Sequence, residues 1–408
     1  MNTFISPQWV TTDVAVNFKN NLKLIGQFDR SWDRSWENKP QGAQIGFVVQ
    51  ARIQQRWVVS EGQGLVQQAI LNQTVPITIN HQFHVGCGWS SADDALLVEE
   101  VQSRYTNPAG RAIAIKWDVV AGAEVYKQVY FSIGAPGVPL ASDQTYTDGV
   151  AKMRNVGVPD EFIAVIDPKS QSRILAANFA LFNPAAQISK YFRSGQFSGA
   201  ALGIDEWYWD PNVPTHTTGT FTASTPLVDG ALQTGSTLVT KGWGTFAFKN
   251  GDVFTLAGVN AVNPVSYIDT GDLQQFAVQV DLAGAGAATF TISPAIITSG
   301  QLQTVTVSPA NNASISVLGS TGTVAATMSA QTSRQSLLFN PAAFAFVMAD
   351  LPAKLPGAVS ARKNDAEAGI SMRWAEQWNI QTDQMPSRID TIGGVAAVLP
   401  YFALRAWS

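Results

Sequence analysis

The sequence is poor in charged side chains. Only 14% of its 408 residues are Asp, Glu, Lys or Arg, well below the quarter or so that is usual for globular proteins. Low charge predicts that the chain either has little free surface or covers much of its surface with partners. The net charge is -4 and no run is rich in Lys or Arg. Direct DNA affinity is therefore not expected to be the main task of the chain.

Disulfides, a signal peptide and membrane-spanning runs are also missing from the sequence. Cys87 is the one cysteine, which excludes an intrachain disulfide. The first 20 residues lack a basic start and an apolar core, and no apolar run reaches about 18 residues. We therefore expect a soluble intracellular protein. The 46% hydrophobic content excludes wholesale disorder, and the length predicts two or three domains.

A four-residue repeat, Asp-Arg-Ser-Trp, ends the polar N-terminal segment. The spacing places Trp32 and Trp36 on one face of a helix or a strand. The pair belongs either to a local core or to an arm that anchors on another subunit.

Residues 42–80 have the pattern of one long hairpin. Val75, Ile77 and Ile79 alternate with polar residues, as in a half-buried strand. A two-stranded ribbon this long is marginal by itself in water, so it needs a surface in its own chain or a neighbour's.

Helical spacing follows in residues 91–127, where Asn107 is a candidate cap and Pro108 a candidate first helical residue. This segment is either one helix kinked at Pro108 or two helices in series. Residues 143–210 then alternate between helix and strand. Helix is predicted for "DGVAKMRNVG" and "KSQSRILAANFA", and a buried strand for "FIAVID".

The composition changes between Thr215 and Ser336, where charged residues become rare and short alternating runs such as "DVFTL", "QQFAVQVDL" and "QTVTVS" recur. This pattern predicts a small all-β barrel or sandwich. After it, "PAAFAFVMADL" is predicted as helix, and "GISMRWAEQWNIQ", "SRIDTIGG" and "YFALRAW" as strands. The β-module thus interrupts an α/β domain. The string "LFNPAA" occurs before and after the module, and its Asn-Pro step predicts a strand-to-helix junction.

Candidate chemistry is sparse. His81, His84 and Cys87 are three residues apart, but on a strand such spacing alternates between faces, so we predict no metal site. The cluster "DEWYWD" at 205–210 is typical either of an amphipathic strand or of a sugar-binding site with acid/base carboxylates. No nucleophile elbow, phosphate loop or dinucleotide motif occurs. We therefore predict no catalytic residue and no cofactor.

Several strings, taken in order, resemble the major capsid proteins of tailed bacteriophages, which share the Hong Kong 97-type fold. The similarity is greatest to short-tailed-phage coat proteins with an inserted I-domain. The strings are "INHQFHVGCGWSSADD…SRYTNPAGRAIAIKWD" (79–118), "YFRSG" with "VPTHTTGT" (213–220), "KNGDVFTLAGVNAVNP" (249–264), "LLFNPAAFAFVMADLP" (337–352) and "SRIDTIGGVAAVLPYFALR" (387–405).

The resemblance implies an α+β fold with an N-arm, an E-loop, a P-domain with a spine helix, an A-domain and an inserted small all-β domain. Its implied boundaries are 1–36 for the N-arm, 37–80 for the E-loop hairpin, 81–142 for the P-domain with the spine helix, 143–214 for the A-domain, 215–336 for the inserted domain and 337–408 for the remainder of the A- and P-domains.

The resemblance also implies a function. The chain would self-assemble through hexamers and pentamers into an icosahedral shell around double-stranded DNA, which it encloses without sequence-specific binding. It would be a virion capsid component that assembles in the host bacterial cytoplasm. Expected partners are copies of itself, a scaffolding protein, a portal and a cement or decoration protein, with no membrane.

Some capsids of this fold join subunits by an isopeptide bond from an E-loop lysine. No lysine lies between Lys39 and Lys116 here, so we expect non-covalent cohesion. The candidate inter-subunit contacts are Trp32, Trp36, Arg52, Arg56, Trp57 and Glu61. The alternative functions are a surface adhesin or carbohydrate-binding β-protein, and a hydrolase that uses the 205–210 carboxylates.

Overall fold

A computed structural model describes residues 7–31, 47–62, 64–90, 105–138, 140, 142–178, 201–322, 325–365 and 369–408. Within these residues the helices are α1 (Pro7–Asn21), α2 (Asn107–Val125), α3 (Asp143–Asn155) and α4 (Pro168–Asn178). The strands are β1 (Phe47–Arg52), β2 (Thr74–Ile79), β3 (His81–Ser90), β4 (Phe131–Ile133), β5 (Ile163–Ile166), β6 (Glu206–Trp209), β7 (Thr215–Thr217), β8 (Thr220–Ser224), β9 (Leu227–Val228), β10 (Gly235–Phe248), β11 (Val253–Val262), β12 (Asp269–Val278), β13 (Leu282–Ile296), β14 (Ile315–Val317), β15 (Ala326–Met328), β16 (Thr332–Phe339), β17 (Phe344–Met348), β18 (Val359–Asp365), β19 (Ile370–Glu376), β20 (Gln384–Ala397) and β21 (Ala403–Trp407).

The chain divides into two compact units. The first takes its residues from 1–52, 74–121 and 344–398, and the second from 53–73, 122–343 and 399–408. Each is therefore built from segments that are distant in sequence.

The first unit is organised around β20, a 14-residue strand. It pairs antiparallel with β3, β17 and β19, and β18 extends the sheet beyond β19. Trp117 of α2 is fully buried, and its indole N–H donates to Thr391 Oγ1 of β20 at 2.8 Å. Asp118, the next residue, accepts from the amides of Lys23 and Ile25. One helix thus fixes both the sheet and the chain that follows α1.

The second unit contains a mixed sheet in the order β4-β21-β16-β5-β6, with β7 also paired to β16. Its core includes Tyr146 and Val150 of α3, and Leu404 of β21. The strand predicted for "FIAVID" is confirmed by β5, whose residues are all buried. The helix predicted for "DGVAKMRNVG" (148–157) is confirmed by α3, which begins five residues earlier. The helix predicted for "KSQSRILAANFA" (169–180) is confirmed by α4 over its described residues.

A closed β-barrel lies between β7 and β16 in the sequence. Its strands pair in the order β14-β11-β12-β13-β10, and β9 pairs with β10. The ring closes on the other side of β9, where the Val228 amide donates to the Ala313 carbonyl and the Ile315 amide to Pro226. Closure removes unpaired strand edges. The run "QTVTVS" was wrongly predicted as a strand, because only Val305 in it makes a β-bridge, to Ala261.

Two sequence predictions about Asn-Pro steps were wrong. Residues 105–106 already form a π-type helical turn, so Asn107 lies inside the helix instead of capping it. In the second "LFNPAA", Asn340 Oδ1 does accept from the Ala342 amide, but the turn is one 3-10 turn at Pro341–Ala343. The fully buried strand β17 follows it, so "PAAFAFVMADL" is not a helix. The first "LFNPAA" lies outside the described residues.

Candidate assembly surfaces

The ribbon begins with regular pairing. Antiparallel strands β1 and β2 run from Phe47 opposite Ile79 to Arg52 opposite Thr74. Ile77 and Ile79 are fully buried, as the alternation predicted, and Val75 is half-buried. The last backbone rung joins the Ile53 amide to the Gln73 carbonyl at 3.0 Å.

Glutamine side chains replace the backbone rungs farther out. Gln68 Oε1 accepts from the Val58 amide at 2.9 Å, and its Nε2 donates to the Val58 carbonyl. Gln55 does the same in the other direction, donating to the Ala69 carbonyl at 2.8 Å and accepting from the Leu71 amide at 3.2 Å. A side-chain amide carries one donor group and one acceptor, so it satisfies a strand backbone as another residue would. These side chains connect the two halves of the tip, whose described residues are 53–62 and 64–73, without regular sheet pairing.

The tip exposes an unusual concentration of large apolar side chains. Val59 is 95% exposed, Leu65 87% and Ile70 76%, and Trp57 and Val66 are also more than half exposed. Contiguous exposed apolar surface marks a protein–protein contact in soluble proteins. The tip therefore has the properties of an interaction surface.

The sequence-predicted contact residues fall partly on this surface. Arg52, Trp57 and Glu61 are exposed on the ribbon. Arg56 is half-buried, and its guanidinium carbon lies 4.9 Å from the centroid of the Tyr401 ring. Trp32 and Trp36 lie outside the described residues.

Sequence reasoning missed the most exposed members of the tip, Val59, Leu65 and Ile70. A signal was available in "GLVQQAIL", which places four large aliphatic residues within seven positions after a predicted hairpin turn. Turn-flanking segments are normally polar, so such a run indicates a surface to be covered.

A buried polar network ties the barrel to the mixed sheet of the second unit. His216 of β7 contacts Asp252 Oδ1 through Nε2 at 2.9 Å and the Tyr126 hydroxyl through Nδ1 at 3.2 Å. Arg405 of β21 is fully buried and donates from Nη2 to the Gly251 carbonyl at 2.9 Å. Burial lowers the pKa of Arg405 to about 10, so it remains a cation at neutral pH. These contacts connect the barrel to β7 and β21 of the mixed sheet.

The "DEWYWD" segment is strand β6. Trp207 is 6% exposed and packs edge-on against Tyr146 at a centroid distance of 5.5 Å. Asp210 is buried and accepts from the backbone amide and the side chain of Asn212. Because Trp207 belongs to the core, it offers no face to a sugar ring, and neither the adhesin nor the hydrolase gains support.

His81, His84 and Cys87, the residues that were considered as metal ligands in the sequence, all lie on β3. His81 stacks on Phe83 with ring centroids 5.6 Å apart, and Cys87 Sγ lies 2.8 Å from Ser387 Oγ. Burial raises the pKa of the Cys87 thiol. Across the described ranges, no group of three or more His, Cys, Asp or Glu side chains is arranged to hold a metal ion. Among the same residues, no helix is both long and apolar enough to cross a membrane.

Comparison with known proteins gives a match to one family model. The model "P22 coat protein - gene protein 5" matches residues 91–403, more than three quarters of the chain. A comparison with the curated proteins found no match.

Solved structures that resemble the chain include several capsids. A structure titled "Mycobacterium phage Che8" is 10% identical, with a TM-score of 0.44 over 94% of this chain and 90% of that one. A virus-like particle from Pyrococcus furiosus is 7% identical, with a TM-score of 0.40 over 98% of this chain and 97% of that one. The CUS-3 coat protein I-domain is 25% identical over 25% of this chain and 95% of that domain, with a TM-score of 0.17.

The family match covers well over half of the sequence, and the resemblance noted from its motifs is confirmed. The chain belongs to the P22 coat protein family and is a tailed-phage major capsid protein of the Hong Kong 97-type fold.

Proposed function

We propose that this major capsid protein assembles through hexamers and pentamers into an icosahedral shell around double-stranded DNA. The family match carries the proposal, and the apolar ribbon tip supports it. A subunit with several modest contacts to its neighbours forms a closed shell that is far more stable than any single pair. The protein has no catalytic role in this proposal. Assembly takes place in the host bacterial cytoplasm.

The segment boundaries in the proposal are those implied by the sequence. Residues 1–36 act as the N-arm, 37–80 as the E-loop, 81–142 as the P-domain with its spine helix and 143–214 as the A-domain. Residues 215–336 act as the inserted domain, and 337–408 complete the A- and P-domains. The closed barrel formed by strands between 220 and 317 supports the inserted domain, since it has its own core.

The ribbon tip is the proposed contact with a second copy. Trp57, Val59, Leu65 and Ile70 supply apolar area, and Arg52 and Glu61 supply charges at its rim. Trp32 and Trp36 remain proposed anchors of the N-arm. A scaffolding protein, a portal and a cement or decoration protein are the further proposed partners. The weakly acidic net charge of -4 supports a shell that encloses DNA without gripping it.

Electron microscopy of the expressed chain tests the proposal. With a scaffolding partner, the wild-type protein should form uniform shells, and a strictly monomeric chain at high concentration would overturn the function. Leu65→Ser should abolish shells, because it removes an 87% exposed apolar side chain from the tip. The matched control is Leu232→Ser on the barrel, where the leucine is 79% exposed, and it should assemble normally. Equal behaviour of the two variants would exclude the tip as the contact.

A further inference from the structure

The ribbon tip rests on its own unit through polar side chains. Gln301 Nε2 donates to Gln68 Oε1 at 3.0 Å, and the Arg56 guanidinium lies over the Tyr401 ring at 4.9 Å. The backbone of Gln301 is itself held in place, because its backbone carbonyl oxygen accepts a hydrogen bond from the Tyr267 hydroxyl at 3.2 Å. We call these two contacts, Gln68–Gln301 and Arg56–Tyr401, the tip seat.

The tip seat uses none of the apolar side chains. Val59, Leu65 and Ile70 remain at least three-quarters exposed while the seat is made. Gln68 has two roles, because its Oε1 accepts from the Val58 amide within the tip and from Gln301 Nε2 in the seat. The seat thus constrains the tip and leaves its apolar face free.

We propose that Gln301 and Tyr401 are positioning residues for assembly. They hold the ribbon tip on its own subunit so that its apolar face is presented, already ordered, to a second copy of this chain. This inference rests on the proposed function. A two-stranded ribbon that swings freely loses conformational freedom when it binds, and a seated ribbon has lost part of that freedom beforehand. The seat therefore favours association without contributing to the interface itself.

The opposite role, a latch that must open before the tip binds, makes the contrary prediction. In a latch, the seat and the second copy would compete for the same side chains of the tip. The geometry points to a brace, because the groups used by the seat and the groups left for the partner are different side chains.

Gln301→Ala tests the brace. The critical concentration for assembly should rise by about three- to tenfold, the effect of one lost hydrogen bond of ordinary strength. Gln303→Ala is the matched control, because Gln303 is also a glutamine of this loop but donates to the Val305 carbonyl of the barrel. Gln303→Ala should leave the critical concentration unchanged. A lower critical concentration for Gln301→Ala would overturn the brace and support the latch, and an unchanged one would overturn both.

The aromatic contact allows a graded test. Tyr401→Phe keeps a ring beneath Arg56, so it should assemble as wild type, whereas Tyr401→Leu removes the cation–π contact and should raise the critical concentration. Equal assembly of the two variants would exclude a role for the ring. Circular dichroism of each monomer checks that the fold survives.

A cleavable cross-link separates brace from latch directly. In the variant Gln68→Cys and Gln301→Cys, with Cys87→Ser to remove the native free thiol, a short disulfide-containing bismaleimide ties the tip to its seat. A brace predicts that the tied subunit still assembles, and a latch predicts that assembly returns only after the linker is reduced. The same variant without linker has lost the Gln68–Gln301 bond, so the brace predicts that it assembles less well than the tied protein. Better assembly of the untied protein would overturn the brace.

Hydrogen exchange of the monomer tests the seat independently of shell formation. The amides of Val58 and Leu71 are held by Gln68 and Gln55, and Gln301→Ala should speed their exchange severalfold. If wild-type protein never forms shells but exchange responds as expected, the proposed function fails and the seat stands. If shells form and neither exchange nor assembly changes, only the seat fails.

Discussion

His216 Nε2 lies 2.9 Å from Asp252 Oδ1, and both side chains are almost completely buried. Asp252 also accepts from the amides of Gly219 and Lys249. His216 belongs to β7, the strand from which the chain enters the barrel, and Asp252 lies just before β11. The Asp252 carboxylate therefore links the barrel to β7, the strand that leads into it.

Removing that carboxylate should destabilise the second unit. We expect Asp252→Ala to lower the free energy of unfolding by about 3–5 kcal/mol, because it leaves buried donors without their acceptor. Urea unfolding followed by circular dichroism measures the change. The control is Asp281→Ala, whose carboxylate contacts Lys249 at 3.2 Å with both side chains more than half exposed. It should cost less than about 1 kcal/mol, and an equal loss in both variants would contradict the importance of the buried network.

The sequence predicted some strands of the barrel, but it gave one false strand at "QTVTVS" and did not show the connections. "DVFTL" and "QQFAVQVDL" alternate locally, so β11 and β12 were recognisable. The contact between His216 and Asp252 joins residues 36 positions apart, and no local pattern encodes such a pair. Closure of the ring through the two-residue strand β9 was hidden for the same reason.

The error at β17 has a different physical origin. All five residues from Phe344 to Met348 are buried, so polar alternation is absent and a strand cannot be told from a buried helix by periodicity. The ribbon tip shows a third limit. Its glutamine rungs depend on side-chain amides that face the opposite strand, and composition alone does not reveal which of neighbouring Gln67 and Gln68 does so.

Those two glutamines provide a prediction. Gln68→Ala should loosen the tip, because it removes both bonds to Val58, whereas Gln67 is exposed and Gln67→Ala should be neutral. Exchange of the Val58 amide, measured by mass spectrometry, should accelerate about tenfold in the first variant. Equal exchange in both would show that the rung does not order the tip.

Stability of the second unit should depend on Lys152 at alkaline pH. Burial lowers the pKa of Lys152 to about 8, opposed by Asp272, while in the unfolded chain it stays near 10.4. Between these values the unfolded state binds more protons, so stability rises with pH. The gain from pH 7.5 to 10.5 has an upper bound of about 3 kcal/mol.

Lys152→Met isolates this contribution. The variant should lose the rise in unfolding free energy above pH 8, because it has no proton to release. Tyr146 of the same unit, whose pKa is raised by burial, acts in the opposite direction, since the unfolded phenol ionises first. The comparison is therefore the difference between wild type and variant at each pH. A difference that does not change with pH would contradict the assignment.

The glycine pair in "TIGG" should be essential to the first unit. A Cβ at Gly394 would overlap the carbonyl oxygen of Thr78, and one at Gly393 would lie 2.6 Å from the Val347 carbonyl oxygen. Because they have no side chain, these glycines let β20 lie closer to the neighbouring backbone than any other residue would allow. Gly394→Ala should lower the free energy of unfolding by at least about 1–3 kcal/mol, because the added methyl group overpacks the contact between the strands. Gly86→Ala is the control in the paired strand β3, because its Cβ would meet Ser387 at an ordinary 3.8 Å. Thermal unfolding of both variants measures the effect, and a Gly394→Ala protein as stable as Gly86→Ala would show that the strands separate at little cost.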